Sequence, residues 1–195
     1  GASYEYSPDN YYIDYDTLNG ETYVKDIMRS FSREVGTNEY DLYLTVQQKW
    51  GNFVLKPGIR MEYERLWSNI SGYETVNQTE DYLNWRPSIH ISYRTKSMHN
   101  FSLSYSRRIA PPGARDITSF KFYSTESFST GNPDLLPTYT NSVEGGWTKY
   151  WNKFGSVGLT AYYRDSRNTV DNISDVIYDD FFGRYVQYSY PVNVG

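Results

Sequence analysis

The chain has 195 residues, with 22 Tyr, 9 Phe and 5 Trp but only 38% hydrophobic residues in total. No apolar run approaches the roughly 18 residues that a membrane-crossing helix needs. Cysteine is absent, which excludes disulfides, thiolate nucleophiles and cysteine-based zinc or iron–sulfur sites. The net charge of −4 comes from 19 basic and 23 acidic residues with no basic block, so nucleic acid is not an expected partner. The length suits one domain or part of a larger one. The opening "GASYEYSPDN" is already strand-like, and no signal peptide is expected in this chain.

Period-two alternation dominates from residue 40 onward. Before that, "YYIDYD", "TLNG" and "ETYVKD" read as a loop hairpin. The stretch 21–35, "ETYVKDIMRSFSREV", is the one place where helical spacing competes with a strand or loop arm. In "YDLYLTVQQKW" Tyr40, Leu42, Leu44 and Val46 share one face. In "GIRMEYERLW" Ile59, Met61, Tyr63 and Trp67 oppose Arg60, Glu62 and Glu64. "SIHISYR" sets Ile89, Ile91 and Tyr93 against His90 and Arg94, and "FSLSYSRRI" sets Phe101, Leu103, Tyr105 and Ile109 against serines and Arg108. "SVGLTAYYR" repeats the pattern with Val157, Leu159, Ala161 and Tyr163. Strands are predicted over 40–50, 53–67, 83–95, 100–110, 140–151 and 155–166, long enough for tilted membrane spans of about 9–11 residues. Counted generously, about eight spanning strands are expected.

The connections alternate in length. Gly51-Asn52, 95–100 and 152–155 read as short turns, whereas 68–82, 110–139 and 166–180 read as long polar loops. Loops sorted by parity are expected of an up-and-down antiparallel barrel, and transmembrane barrels keep short turns at one end and long loops at the other. The fold class expected is therefore an all-β, antiparallel up-and-down transmembrane β-barrel. Its greasy face would meet lipid, and Arg60, Glu62, Glu64, His90, Arg94 and Arg108 would face the lumen. Trp50, Trp147, Tyr150 and Trp151 fall near short turns, as an aromatic girdle would. Trp67 and Trp85 are expected at the other rim.

Two segments carry a family resemblance. "SYSRRIAPPGARDI", followed by "GNPDLLPTYTNSVEGGW", resembles the barrel of TonB-dependent outer-membrane receptors, especially the Bacteroidetes-type outer-membrane β-barrel family. "WGNFVLKPGIRMEYER" is similar to a hairpin of that family. The motif residues are Gly131, Asn132, Pro133, Asp134 and Pro137, which the resemblance places in an outer loop; Leu136 and Thr138 depart from the family's usual Lys and Glu around the second proline. The resemblance implies a segment of a barrel of about 22 strands in the Gram-negative outer membrane. It implies energised solute uptake by the whole receptor, without a cofactor or catalysis. The implied partners are outer-membrane lipid, the rest of the barrel, a plug domain, TonB indirectly and a surface lipoprotein. No plug is expected within residues 1–195, which read as a single barrel segment. The alternatives are a soluble β-rich glycan-binding module and a small self-contained outer-membrane barrel.

Chemistry-bearing groups are sparse. His90 and His99 have no second histidine or cysteine at metal-ligand spacing. Glu62 and Glu64, two apart on a strand, would sit about 6–7 Å apart, a separation glycosidases use. Nearby Arg60 and Arg65 favour a solvated charge ladder instead, so neither catalytic nor metal residues are assigned. The Tyr-rich stretches "YEYSPDNYYIDYD" and "YDDFFGRYVQYSY" suit a girdle for the most part, with ligand stacking as the other reading. The ligand-contacting residues are not legible.

Overall fold

The computed structural model describes residues 1–195. In chain order the elements are β1 (Ala2–Ile13), β2 (Asp16–Asn19), β3 (Thr22–Lys25), β4 (Phe31–Thr45), β5 (Gln48–Trp50), β6 (Phe53–Ser71), β7 (Thr75–Arg94) and β8 (His99–Ala110). They continue as α1 (Ala114–Ile117), β9 (Phe122–Tyr123), β10 (Ser127–Ser129), β11 (Thr138–Trp151), β12 (Gly155–Arg167), β13 (Thr169–Asp179) and β14 (Arg184–Val194). The principal sheet runs β1-β4-β6-β7-β8-β11-β12, with antiparallel neighbours throughout. It is an up-and-down meander. β4 and β5 both pair with β6, so they form one ribbon interrupted at Val46–Gln47, and the spanning ribbons number seven rather than eight.

β1 and β12 each pair on one side only within this sheet, so the segment does not close into a barrel. That excludes a self-contained small barrel made from these strands, because lipid cannot satisfy the backbone groups of an open edge.

Register assembles the apolar residues into one continuous face. Tyr4, Tyr40, Tyr63 and Leu83 lie side by side across four strands. Leu42, Met61 and Trp85 form the next row, and Leu44, Ile59 and Pro87 the one after. On the other half of the sheet, Leu55, Ile91, Leu103, Gly145 and Ala161 align, as do Phe53, Tyr93, Phe101, Trp147 and Leu159. No second layer covers this face. Leu42, Leu44 and Leu103 are 55%, 63% and 50% exposed, whereas a soluble sandwich would bury such residues between sheets. The soluble-module alternative fails on this point. From Phe53 to Tyr63 the belt is ten residue steps, about 23–27 Å tall at the usual rise and tilt, close to the apolar band of outer-membrane barrels. Above it the same face turns polar: Arg65 donates to both carboxylate oxygens of Asp81, at 2.7 and 3.0 Å, and the Tyr63 hydroxyl also donates to Asp81.

Short and long connections separate as expected, the short ones being the turns at 51–52, 95–98 and 152–154. The long ones hold more structure than their composition suggests. Residues 68–82 are not a loop: β6 and β7 stay paired as far as Ser71 opposite Thr75. Likewise 166–180 is the end of β12 and all of β13, parted only by Asn168 at φ 54°. Polar side chains on both faces mimic loop composition, yet a hairpin standing above the lipid needs only its ladder of backbone bonds. Residues 21–35 contain no helix. β3 ends at a turn where the Asp26 carboxylate accepts from the backbone N–H groups of Met28 and Arg29, and β4 follows. The hairpin expected from "YYIDYD" through "ETYVKD" forms only over 16–25, because Tyr11–Ile13 pair with β4 instead.

The only hydrophobic core lies at the loop end, on the face opposite the belt. Ile70 of β6 is packed there by Phe120 and Phe122 of the 111–137 connection, with Phe31, Tyr73 and Val76 around them.

Candidate functional site

The 111–137 connection is a folded body. α1 opens after Gly113, whose N–H donates to Asp116, and Thr118 Oγ1 donates to the Ala114 carbonyl at 2.6 Å. The Gly131–Pro137 motif then docks on the end of α1. Gly131 N–H donates to the Thr118 carbonyl at 2.8 Å and Asn132 N–H to that of Asp116 at 2.6 Å, satisfying carbonyls that a helix end leaves unpaired. A Cβ on Gly131 would lie 2.5 Å from the Thr118 carbonyl oxygen and 2.6 Å from those of Arg115 and Asp116. Glycine is required here by close approach. Asn132 Nδ2 donates to the Pro191 carbonyl, and Asn193 clamps Leu136 through its N–H and its carbonyl. β10 adds in parallel to β14. The motif is therefore a lock between the connection and the β13–β14 hairpin, as well as a turn into β11.

This body faces β1 and β4 across an open cavity of about 410 Å³. The wall from β1 and β4 supplies Tyr11, Ile13, Phe31 and Arg33, with Tyr15 just beyond; the opposite wall supplies Arg115, Phe122, Tyr123, Phe128 and four serines at 124, 127, 129 and 189. Phe31 and Phe122 meet edge to face at 5.3 Å, and Tyr123 and Phe128 lie 5.5 Å apart. Arg33 lies over the Tyr11 ring at 5.8 Å and Arg115 over Phe122 at 4.8 Å. Burial and the neighbouring Asp179 carboxylate push the Tyr123 phenol up to about 12, so it stays protonated and donates to Asp179. Such a volume, with aromatic walls and a few polar groups, is typical of a ligand pocket.

Sequence reasoning flagged the Tyr-rich stretch that holds Tyr11 and Tyr15 but missed Arg33, Arg115, Phe122 and Phe128. The only available signal was an aromatic-rich long connection; which wall it meets is set by pairing between β10 and β14, some sixty residues apart.

The residues expected to line the lumen do share one face. Arg60 lies opposite Arg86, Glu62 opposite Asp41 and Asn84, Glu64 opposite Glu39 and Tyr82, and His90 opposite Lys56 and Ser104. Arg94 and Arg108 have the same parity, opposite Asn100 and Thr140. Only part of this set interacts. Arg60 binds both oxygens of Asp41 and reaches Glu39 at 3.3 Å, while Arg86 pairs with buried Glu62 and donates to the Ile109 carbonyl at 2.8 Å. The carboxylates of Glu39, Asp41 and Glu62 offer ligand atoms within 4.8 Å of one another, but the Arg60 guanidinium stands among them and supplies the positive charge a metal would bring. His90, Arg94 and Arg108 are exposed and lie apart from the cluster. Arg94 instead sits over the Tyr150 ring at 5.8 Å.

That contact corrects the girdle. Tyr150 belongs to the polar face, because Trp147, Lys149 and Trp151 take the other parity on β11. Trp50 stacks on Phe53 at the turn end, and Trp147 Nε1 donates to His99 Nδ1 at 3.1 Å. Trp85 is not at the far rim: it lies beside Met61 inside the belt. Trp67 does lie above the belt, with its ring over Gly36 of the neighbouring strand.

The model of the outer membrane protein beta-barrel family matches residues 1–195. Among solved structures the chain is similar to a double mutant of the Serratia marcescens hemophore receptor HasR in complex with its hemophore HasA and heme. The TM-score is 0.58 at 14% identity, over 98% of this chain and 34% of that one. It is also similar to the siderophore receptor PirA from Pseudomonas aeruginosa, with TM-score 0.54 and 14% identity over 99% of this chain and 45% of that one. PirA from Acinetobacter baumannii gives 0.52 and 10% over 99% and 37%. At these identities the likeness is one of fold, and the chain spans less than half the length of each receptor. No curated protein sequence matches it.

Proposed function

This chain belongs to the outer membrane protein beta-barrel family, and from that premise we propose that it forms one wall of a TonB-dependent receptor that captures a solute at its loop end for energised uptake. The carrying observation is the division of labour between the two faces. One face is an uncovered apolar belt, and the other bears the charge cluster and, at the loop end, the folded 111–137 body with its aromatic cavity. A receptor needs this arrangement: lipid outside, a polar lumen inside and a built surface at the mouth. In this reading the long connections point away from the cell, the Arg60–Asp41 and Arg86–Glu62 pairs line the lumen, and Trp50, Trp147 and Trp151 mark the periplasmic interface. Further strands and a plug complete the receptor. No step in this role makes or breaks a covalent bond.

Uptake in cells expressing the full-length protein tests the reading. Growth on the scarce solute is expected to require both this gene and TonB, and to stop when the proton gradient is dissipated. Growth that needs the gene but is indifferent to TonB and to the gradient would describe a passive channel and overturn the proposal.

A further inference from the structure

We infer that the cavity between β1–β4 and the 111–137 body takes an organic anion carrying a planar ring; this rests on the receptor reading and names the class of solute. The argument begins with charge. Two guanidiniums line the cavity and no carboxylate does. Arg33 is half-buried, forms no ion pair, and its Nε is buried without a hydrogen-bond partner. Arg115 is exposed at the cavity rim, with one side-chain partner, the neutral Ser129 hydroxyl at 3.2 Å. The Asp179 carboxylate, which accepts from Tyr123 beyond the lining, is already paired with Lys121 at 3.4 Å.

A partly desolvated guanidinium without a counter-charge costs free energy, and a carboxylate or similar planar anion repays it through two parallel charge-assisted hydrogen bonds. A cationic ligand would meet two like charges, and a neutral polyol would leave Arg33 without a counter-charge. The ring requirement follows from the walls. Phe31 meets Phe122 edge to face at 5.3 Å where the two walls touch, and Tyr123 and Phe128 lie 5.5 Å apart on one wall, so the cavity is lined by aromatic surface against which a planar ring packs better than a branched aliphatic body. Both arginines already rest on rings, which holds their planes in place before a ligand arrives.

The test uses the full-length receptor in detergent and four probes: 2-naphthoate, 2-naphthamide, 2-naphthylmethylamine and cyclohexanecarboxylate, followed by equilibrium dialysis. Naphthoate is expected to bind about tenfold or more tightly than the amide, as one charge-assisted contact predicts. The amine and the ring-saturated acid are expected to bind more weakly still than naphthoate. In the Arg33→Gln, Arg115→Gln double variant the preference for acid over amide falls to near unity, while an Arg33→Lys variant retains part of it. Equal binding of acid and amide by the wild-type receptor, preference for the amine, retention of the acid preference in the double variant, or no binding of any probe each overturns the inference. The wild-type panel decides even if a variant does not assemble. Naphthoate binding without TonB-dependent uptake would sink the receptor reading and leave the ligand class standing. TonB-dependent uptake without an anion preference would do the reverse.

Discussion

Gly131 shows how much a single residue can hide in a sequence. In the string Gly-Asn-Pro-Asp it reads as a turn residue, yet its φ is not in the left-handed region. It is glycine because three carbonyl oxygens of the α1 end crowd the position where a Cβ would stand. Gly131→Ala is therefore expected to force the backbone of the lock apart, at a cost of about 1–3 kcal/mol as for other overpacked sites. Limited proteolysis of the full-length protein reads the result. Cleavage within 111–137 is expected to accelerate while the spanning strands stay resistant, and an unchanged pattern would mean the lock carries no strain. The charged residues were legible by type and face, since period-two parity alone put Arg60, Glu62 and Glu64 together. Their partners were not. Asp41 meets Arg60, and Arg86 meets Glu62, through register between strands, which one strand's sequence does not encode.

Among the elements, strand identity was clearest where the two faces differ in chemistry. β8 and β12 alternate greasy and polar residues through the belt, and their predicted limits agree with those observed to within a residue or two. Alternation disappears above the belt, where water wets both sides. There the upper parts of β6 and β7, and all of β13, looked like loops although their backbone ladders continue. Tyr150 was misplaced for a related reason: its proximity to Trp151 suggested a girdle, while parity assigns it to the face of Arg94. The two-faced reading of β8 makes a sharp comparison. Leu103→Arg puts a charge in the lipid belt and is expected to destabilise the assembled barrel by about 2–4 kcal/mol, whereas Ser104→Arg, one residue along on the polar face, should cost far less. Denaturant unfolding of the reconstituted barrel measures both. Equal costs at the two positions would show that the faces are not in different solvents.

For the molecule as a whole, the central question is what covers a sheet whose apolar face lies open, with Leu42, Leu44, Leu83 and Leu103 half or more exposed, while its small core sits under one connection. A water-soluble protein would leave that face wet at great cost; a bilayer covers it without a protein partner. The family match and the receptor-like fold agree with this, and the unpaired outer edges of β1 and β12 require further strands. The sequence revealed the architecture because an outer-membrane strand states its two solvents residue by residue. It concealed the cavity because that depends on chain segments distant in sequence meeting at the mouth. The most direct measurement is side-chain environment in lipid: nitroxide labels at positions 42, 91 and 103, and at 90, 102 and 104, in the full-length protein reconstituted in vesicles. The first set should relax strongly with oxygen, which concentrates in hydrocarbon, and weakly with a polar nickel chelate, with the second set lacking that oxygen preference. Labels at 42, 91 and 103 shielded from oxygen, or reached mainly by the chelate, would contradict the account.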